Sequence, residues 1–287
     1  MIKPWLLAAR PKTLSASVVP VLIGTALAPR PILWSVFGFA LGGALLIQIA
    51  TNFINDALDF RKGADTSERL GPLRVTQAGL VTAEGVMRAA WICFFGAAVC
   101  GVPLIIRAGW PLLAIGVLSI VAAYAYTGGP YPLAYNGLGE LFVMIFFGFV
   151  AVIGSYYVQA LTVTPAAILG GFCAGSLAVV LLVINNLRDI ESDRKTNKRT
   201  MAVRMGVRFS RLEIAFFAFA PFAAQIAIIN VENSEGMLVP LVALLLAMAL
   251  IRRVFSSAGR ELNRCLAMAG ALQWLFGILF VIGAALR

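Results

Sequence analysis

The sequence predicts an all-α polytopic membrane protein. About nine transmembrane helices form two four-helix halves plus one helix, around a central cavity open to the cytoplasmic side. Three observations carry this reading. The 287 residues are 61% hydrophobic and 13% charged, with a mean hydropathy of +0.91, whereas a soluble domain is about one quarter charged. Apolar runs near the ~20 residues needed to cross a bilayer recur along the whole chain. The polar residues gather in two clusters, each closing an even-numbered run.

The runs fall at roughly 13–28, 32–54, 86–106, 110–126, 138–161, 165–184, 212–230, 237–251 and 265–286. The first has basic residues ahead of it, and Ala26-Leu27-Ala28 resembles a cleavage site. Arg10-Pro11-Lys12 reads instead as an interfacial lead-in to a retained first helix. With the N-terminus cytoplasmic, every Lys and Arg of the 23 except Arg30, Arg107 and Arg287 falls on the cytoplasmic side, the bias of the positive-inside rule. Nine crossings then place the C-terminus outside. The rule also accounts for the net charge of +10, which in a soluble chain would point to nucleic acid. A lipid bilayer is the expected environment, with no nucleic acid and no obligate protein partner.

The second run ends in Gln48, Thr51, Asn52, Asn55, Asp56 and Asp59, followed by Arg61, Lys62 and Asp65. Gln48, Asn52, Asn55 or Asp56, and Asp59 keep helical spacing and make one polar stripe. A single polar residue in a membrane helix is ordinary interhelical hydrogen bonding, and charges after a span are ordinarily a solvated loop. A stripe with carboxylates and flanking cations is neither, and ionisable residues at a membrane edge mark function. The 61–85 loop that follows, and the 188–211 loop, are too long for plain turns and are expected to be lids or binding loops.

Cys93 and Cys100 in the third run, like Cys173 and Cys265 later, sit in or beside apolar runs without a CxxC pattern. They read as small buried apolar residues. Between the fourth and fifth runs, Tyr124, Tyr126, Tyr131 and Tyr135 crowd a Gly/Pro-rich turn ahead of Gly137-Leu138-Gly139-Glu140. An interfacial aromatic belt and a cavity wall that steadies a cation through ring faces both fit. Tyr126 and Tyr131 are the candidates for the pocket.

The sixth run ends in the densest polar stretch. Eight charged residues arrive between Arg188 and Arg199. Asn185, Asp189 and Asp193 stand at i, i+4 and i+8, one face of a helix, among Arg188, Arg194, Lys195, Lys198 and Arg199. Carboxylates that bind a hard cation, beside a basic cluster, suit an anionic ligand that brings its own metal, a pyrophosphate with Mg²⁺ above all. Asn52-x-x-x-Asp56 and Asn185-x-x-x-Asp189 form a loose internal repeat. The single domain, 1–287, would thus hold halves at roughly 13–126 and 138–251 and a ninth helix at 265–286. The chain has no histidine, which excludes Ser-His-Asp and Cys-His catalysis and HExxH zinc sites.

Asn55-Asp56-x-x-Asp59 with Asp65, and Asp189-x-x-x-Asp193, resemble the two Asp-rich motifs of the UbiA superfamily of intramembrane aromatic prenyltransferases. Trp5 through Leu14, Gly71-Pro72-Leu73-Arg74, Tyr126-Thr127 with Gly137 through Glu140, and Asn185 through Asp189 resemble the branch whose acceptor is 1,4-dihydroxy-2-naphthoate. The residue four positions after Asp59 is Gly63, and the next carboxylate comes at Asp65, a longer spacing that this branch shares.

The resemblance implies a polyprenyl diphosphate donor, transfer of its prenyl group to the naphthoate with loss of CO₂, and a product of menaquinone biosynthesis. It implies Mg²⁺ held by Asn55, Asp59, Asp65, Asp189 and Asp193, with Asp56, Asp59, Asp189 and Asp193 as the catalytic carboxylates. Arg10, Lys12, Lys62, Arg188, Lys198 and Arg199 would neutralise the diphosphate. Gln48, Asn52, Asn185, Tyr126 and Tyr131 would line the substrate pocket. The bacterial cytoplasmic membrane would be its location. Two rivals stand beside it: a sibling enzyme using 4-hydroxybenzoate or homogentisate, and a secondary transporter with repeated halves, whose coupling carboxylates belong mid-span.

Overall fold

The computed structural model describes residues 2–63 and 70–287. Helix α1 (Lys3–Ala9) ends at Arg10, whose φ of 52° turns the chain. A 3₁₀ turn (Pro11–Thr13) leads into α2 (Ser15–Leu27), and the α1 stretch and α2 meet at 52°. Helix α3 (Trp34–Arg61) is followed by α4 (Ala83–Ala108) and α5 (Trp110–Ala125). The Thr82 hydroxyl starts α4 by accepting a hydrogen bond from the Gly85 N–H. Helix α6 (Gly139–Val143) passes through a π-helical stretch, Met144–Val150, into α7 (Ala151–Ala160).

Helix α8 (Pro165–Arg188) is capped by Thr164, and Asp189 separates it from the short α9 (Ile190–Lys195). Helix α10 (Met201–Glu232) is broken at Gly206, where φ is 82°, a backbone state open to glycine. A 3₁₀ stretch (Glu235–Ala243) leads into α11 (Leu244–Ser256), and α12 (Leu262–Ala285) closes the fold.

All nine expected runs are helical. Among the described residues, seven helical stretches are long and apolar enough to cross a membrane, an eighth is the bent α1–α2 pair, and α5 is a shorter apolar helix. The expected ends are corrected at two places. The second span continues to Arg61, and the seventh begins before residue 212. Hydropathy registers only the apolar part of a helix. The polar turns stay helical because their side chains have a cavity or a neighbouring helix to face.

Helix α8 is the most enclosed span, packed by α2, α7, α10 and α12. Between helices in lipid the hydrophobic effect supplies no drive, so close packing of small residues has to hold them. The π-helical stretch crosses α8 at such a point. A Cβ at Gly148 would lie 2.6 Å from the Gly171 carbonyl oxygen and 2.8 Å from the Gly175 Cα. The outer surface is apolar, with Ile106, Trp110 and Leu245 exposed, as a lipid-facing surface should be.

At one end of the bundle the α1 segment and the loops after α3, α5, α8 and α11 come together. Asn52 on α3 donates to the Ala9 carbonyl, the Arg199 N–H donates to the Tyr135 carbonyl, and Asn263 on α12 donates to the Leu70 carbonyl. The opposite end is tied by Arg107 to the Val158 and Gln159 carbonyls and by Arg287 to Glu232 and Leu27.

Candidate functional site

A cavity of about 970 Å³ opens among α2, α3, α4, α5, α6, α7, α8 and α12. Its wide end is polar and lies under the gathered loops. Its deeper part is lined by small and apolar residues, among them Gly43, Gly101, Leu104, Phe146 and Val158.

The last turns of α3 build one wall. Asp59 is buried. Its Oδ2 accepts from Arg74 Nη2 at 3.0 Å and its Oδ1 from the Tyr135 hydroxyl at 2.9 Å. Asn55 accepts from the Thr127 hydroxyl. Gln48 and Asn52 face the cavity further in, and the Gln48 Oε1 is buried with no hydrogen-bond partner among the described residues. Asp56 departs from its expected catalytic place. It is buried off the cavity, accepting from the Val75 and Thr76 N–H groups at 3.2 and 3.0 Å. The spacing left Asn55 and Asp56 as alternatives for the stripe. The roughly 100° between neighbours on a helix gives Asn55 the cavity and Asp56 the loop backbone.

The end of α8 with α9 builds the facing wall. Asn185, Asp189 and Asp193 all line the cavity. Asp189 is held by its own neighbour: Arg188 Nε donates to Oδ1 at 2.8 Å and Nη2 to Oδ2 at 2.6 Å. The same guanidinium donates to Asn185 Oδ1 at 2.7 Å and to Asn263 Oδ1 at 2.9 Å. Arg188 is 3% exposed and does not line the cavity. It is therefore turned away from the diphosphate contact expected of it: four N–H···O hydrogen bonds fix Asp189 and Asn185 and tie α8 to α12.

Asp193 has Lys198 Nζ at 3.6 Å from Oδ1, and its buried Oδ2 has no partner among the described residues. Burial pushes its carboxyl up to about 6. Lys198 pulls it down, while the charges of Asp189 and Asp59 push with burial.

Arg10, Lys12 and Lys198 line the cavity. Lys62 stands at the rim, donating to the Thr127 carbonyl at 2.6 Å with its ammonium 4.4 Å from the Tyr135 ring centroid. Burial lowers its pKa, with Asp59 opposing. Arg199 is exposed, outside the cavity, with its Nε on Asn197, so it does not stand where a diphosphate contact requires. Tyr126 lines the cavity, and burial raises its hydroxyl pKa. Tyr131 is 60% exposed and lies outside, because the turn presents it to the surface. Asp65 falls outside the described residues.

Sequence reasoning did not name Arg74, Tyr135, Asn263 or Glu140 as site residues. Arg74, Tyr135 and Glu140 stood in stretches already singled out. No spacing rule, however, shows that the loop folds Arg74 back onto Asp59, or that Asn263 arrives from α12.

Among the described residues no three carboxylates converge into a ready-made metal cluster. Asp59 faces Asp189 and Asp193 from across the cavity mouth. That arrangement fits Mg²⁺, which keeps waters and substrate phosphates among its ligands. Among the described residues the Asp193 Oδ2 is an acceptor left without a donor.

A model of the UbiA prenyltransferase family matches residues 17–277. The chain is 43% identical over 214 residues to the 1,4-dihydroxy-2-naphthoate octaprenyltransferase of Escherichia coli, covering 70% of this chain and 68% of that one. It is 36% identical over 284 residues to the enzyme of the same name from Mycobacterium tuberculosis, covering 98% and 96%. The fold is similar to that of a UbiA homolog from Archaeoglobus fulgidus bound to GPP and Mg²⁺. The TM-score is 0.73 over 98% of this chain and 99% of the other, at 13% identity.

Proposed function

The chain belongs to the UbiA prenyltransferase family, and from that premise we propose how its residues carry out prenyl transfer. The protein is a membrane-embedded prenyltransferase that moves a polyprenyl group to 1,4-dihydroxy-2-naphthoate, releasing diphosphate and CO₂ and forming demethylmenaquinone. The observation that carries the site reading is the pair of facing polar walls, Asp59 against Asp189 and Asp193, at the mouth of an apolar cavity.

In this reading Asp59, Asp189 and Asp193, with Asn55 beside them, hold the diphosphate through Mg²⁺. When bound, the metal supplies positive charge that favours departure of the diphosphate. Arg10, Lys12 and Lys198 add cations around the leaving group, and Arg74 orients Asp59. The Tyr135 ring, between Lys62 and Lys198, sets the spacing of these cations at the rim. The deeper part of the cavity excludes water from the reacting carbon and takes the prenyl tail. The ring carbon that bears the acceptor carboxylate attacks the allylic carbon. The cavity mouth faces the cytoplasm, and the membrane is the bacterial cytoplasmic membrane.

The test is a product assay. Purified protein in nanodiscs receives Mg²⁺, a polyprenyl diphosphate, and either 1,4-dihydroxy-2-naphthoate or 4-hydroxybenzoate, with product and CO₂ measured by mass. Product from the naphthoate alone, abolished by EDTA, is expected. Product from 4-hydroxybenzoate alone would keep the reaction class and overturn the acceptor. The transporter alternative finds no support in the geometry, since the carboxylates cluster at the cavity mouth.

A further inference from the structure

The first turn of α6 places one more carboxylate in the cavity. Glu140 lines it, and Asn186 on α8 donates from Nδ2 to its Oε1 at 3.1 Å. Its Oε2 is buried and has no hydrogen-bond partner among the described residues. A buried carboxylate oxygen left without a donor is costly, because it has given up its water without gaining a hydrogen bond. The fold nonetheless holds it there. Asn186 on α8 fixes one oxygen and leaves the other turned to the cavity. The Tyr126 hydroxyl lies against the neighbouring Gly139. Glu213, on α10, is a carboxylate close enough to feel its charge.

The height of Glu140 in the cavity matters as much as its free oxygen. Asn186 precedes Asp189 by three residues on α8, which sets Glu140 about one helical turn, ~5 Å, inward from the Asp189–Asp193 edge. Leu182, Phe142 and Val143 line the cavity near it. Glu140 thus stands where the polar mouth meets the apolar channel. That junction is where the reacting carbon of a donor must lie if its diphosphate is held at the mouth and its tail deeper in.

Resting on the function proposed above, we infer that Glu140 is the acceptor-side catalytic residue. Its free Oε2 accepts a hydrogen bond from the acceptor hydroxyl next to the carboxylated ring carbon. As that carbon bonds to the allylic carbon, the hydroxyl proton passes to Oε2. The O–H electrons form a C=O bond, and the ring π electrons form the new C–C bond. As CO₂ leaves, the electrons of the C–CO₂ bond restore the ring double bond, the oxygen regains its electrons, and Oε2 returns the proton to it. Glu140 ends in its starting state. A site with no histidine thereby manages the proton without releasing it, and general base catalysis of this kind contributes about 10²–10⁴-fold.

The experiment compares wild type and Glu140→Gln with two acceptors, 1,4-dihydroxy-2-naphthoate and its methyl ether at the hydroxyl next to the carboxylated carbon. Folding is monitored by thermal unfolding. Donor affinity is measured separately with geranyl diphosphate and Mg²⁺. The expected result has three parts. Wild type loses at least ~100-fold in kcat on the ether, Glu140→Gln loses a similar factor on the natural acceptor, and the variant loses little more when given the ether. Donor affinity stays within threefold. A folded Glu140→Gln protein with kcat within threefold of wild type would overturn the inference. So would losses that multiply across the two perturbations, which would make Glu140 a packing residue. Wild type inactive on the natural acceptor would instead overturn the proposed function itself.

Discussion

Asp189 and Asp193 are four residues apart and both line the cavity, yet their surroundings make them respond differently to substitution. Asp193 is buried with one oxygen unpartnered. Asp193→Asn should lower turnover by at least ~100-fold, the scale of losing one electrostatic contact to developing charge. It should leave the unfolding temperature unchanged or higher, because it removes a buried charge. Near-normal activity of the folded variant would end its metal role. Asp189→Asn should lose both turnover and stability, since it weakens the bidentate pair that the buried Arg188 needs; a thermal scan separates the two variants. The basic residues divide the same way. Arg74→Ala should weaken donor binding at least tenfold, because Asp59 loses the partner that aims it. Arg199→Ala should stay within threefold of wild type, because its side chain is exposed and outside the cavity. Titrating geranyl diphosphate against both variants checks this, and a tighter dependence on Arg199 than on Arg74 would reverse the assignment.

At the scale of elements, the site depends on how α6, the π-helical stretch and α7 lie on α8. The extra residue of a π-turn shifts which side chains face the partner helix, and such turns recur at functional sites. Here it brings Gly148 against Gly171 and Gly175, and the same helical stretch carries Glu140 in its first turn. Gly148→Ala places a methyl group 2.6 Å from a backbone oxygen, so the helices must separate. A loss of about 1–3 kcal/mol is expected, with turnover falling as the Glu140–Asn186 contact loosens. Thermal unfolding in detergent reads the first and the product assay the second; a Gly148→Ala protein as stable as wild type would contradict the tight crossing. The helix periods themselves were legible in the sequence. The π-turn was not, because a one-residue register shift leaves no mark in hydropathy.

Over the whole molecule, the charge distribution and the cavity agree. Of Arg30, Arg107 and Arg287, the basic residues expected outside, Arg107 and Arg287 are tied to backbone carbonyls at the end away from the cavity mouth. In a background without the four native cysteines, Asn197→Cys should react with a membrane-impermeant thiol reagent only from the cytoplasmic side, and Thr162→Cys only from the other. The reverse pattern would invert the orientation while leaving the fold intact.

What the sequence by itself determined is the membrane class, the all-helical architecture of about nine apolar runs, and the placing of Asn55, Asp59, Asn185, Asp189 and Asp193 at the ends of two of them. These follow from apolar content and helical period, which are local along the chain. What only the tertiary structure decided is the direction each charged group takes. Asp56 turned to a loop backbone, Arg188 to Asp189 and Asn263, and Arg199 and Tyr131 to the surface, while Arg74, Tyr135 and Glu140 came to the site. The reason is physical. A buried polar side chain is costly to leave without a hydrogen bond, and its partner is set by which loop or helix arrives beside it, a matter of three-dimensional packing that spacing along one helix does not encode.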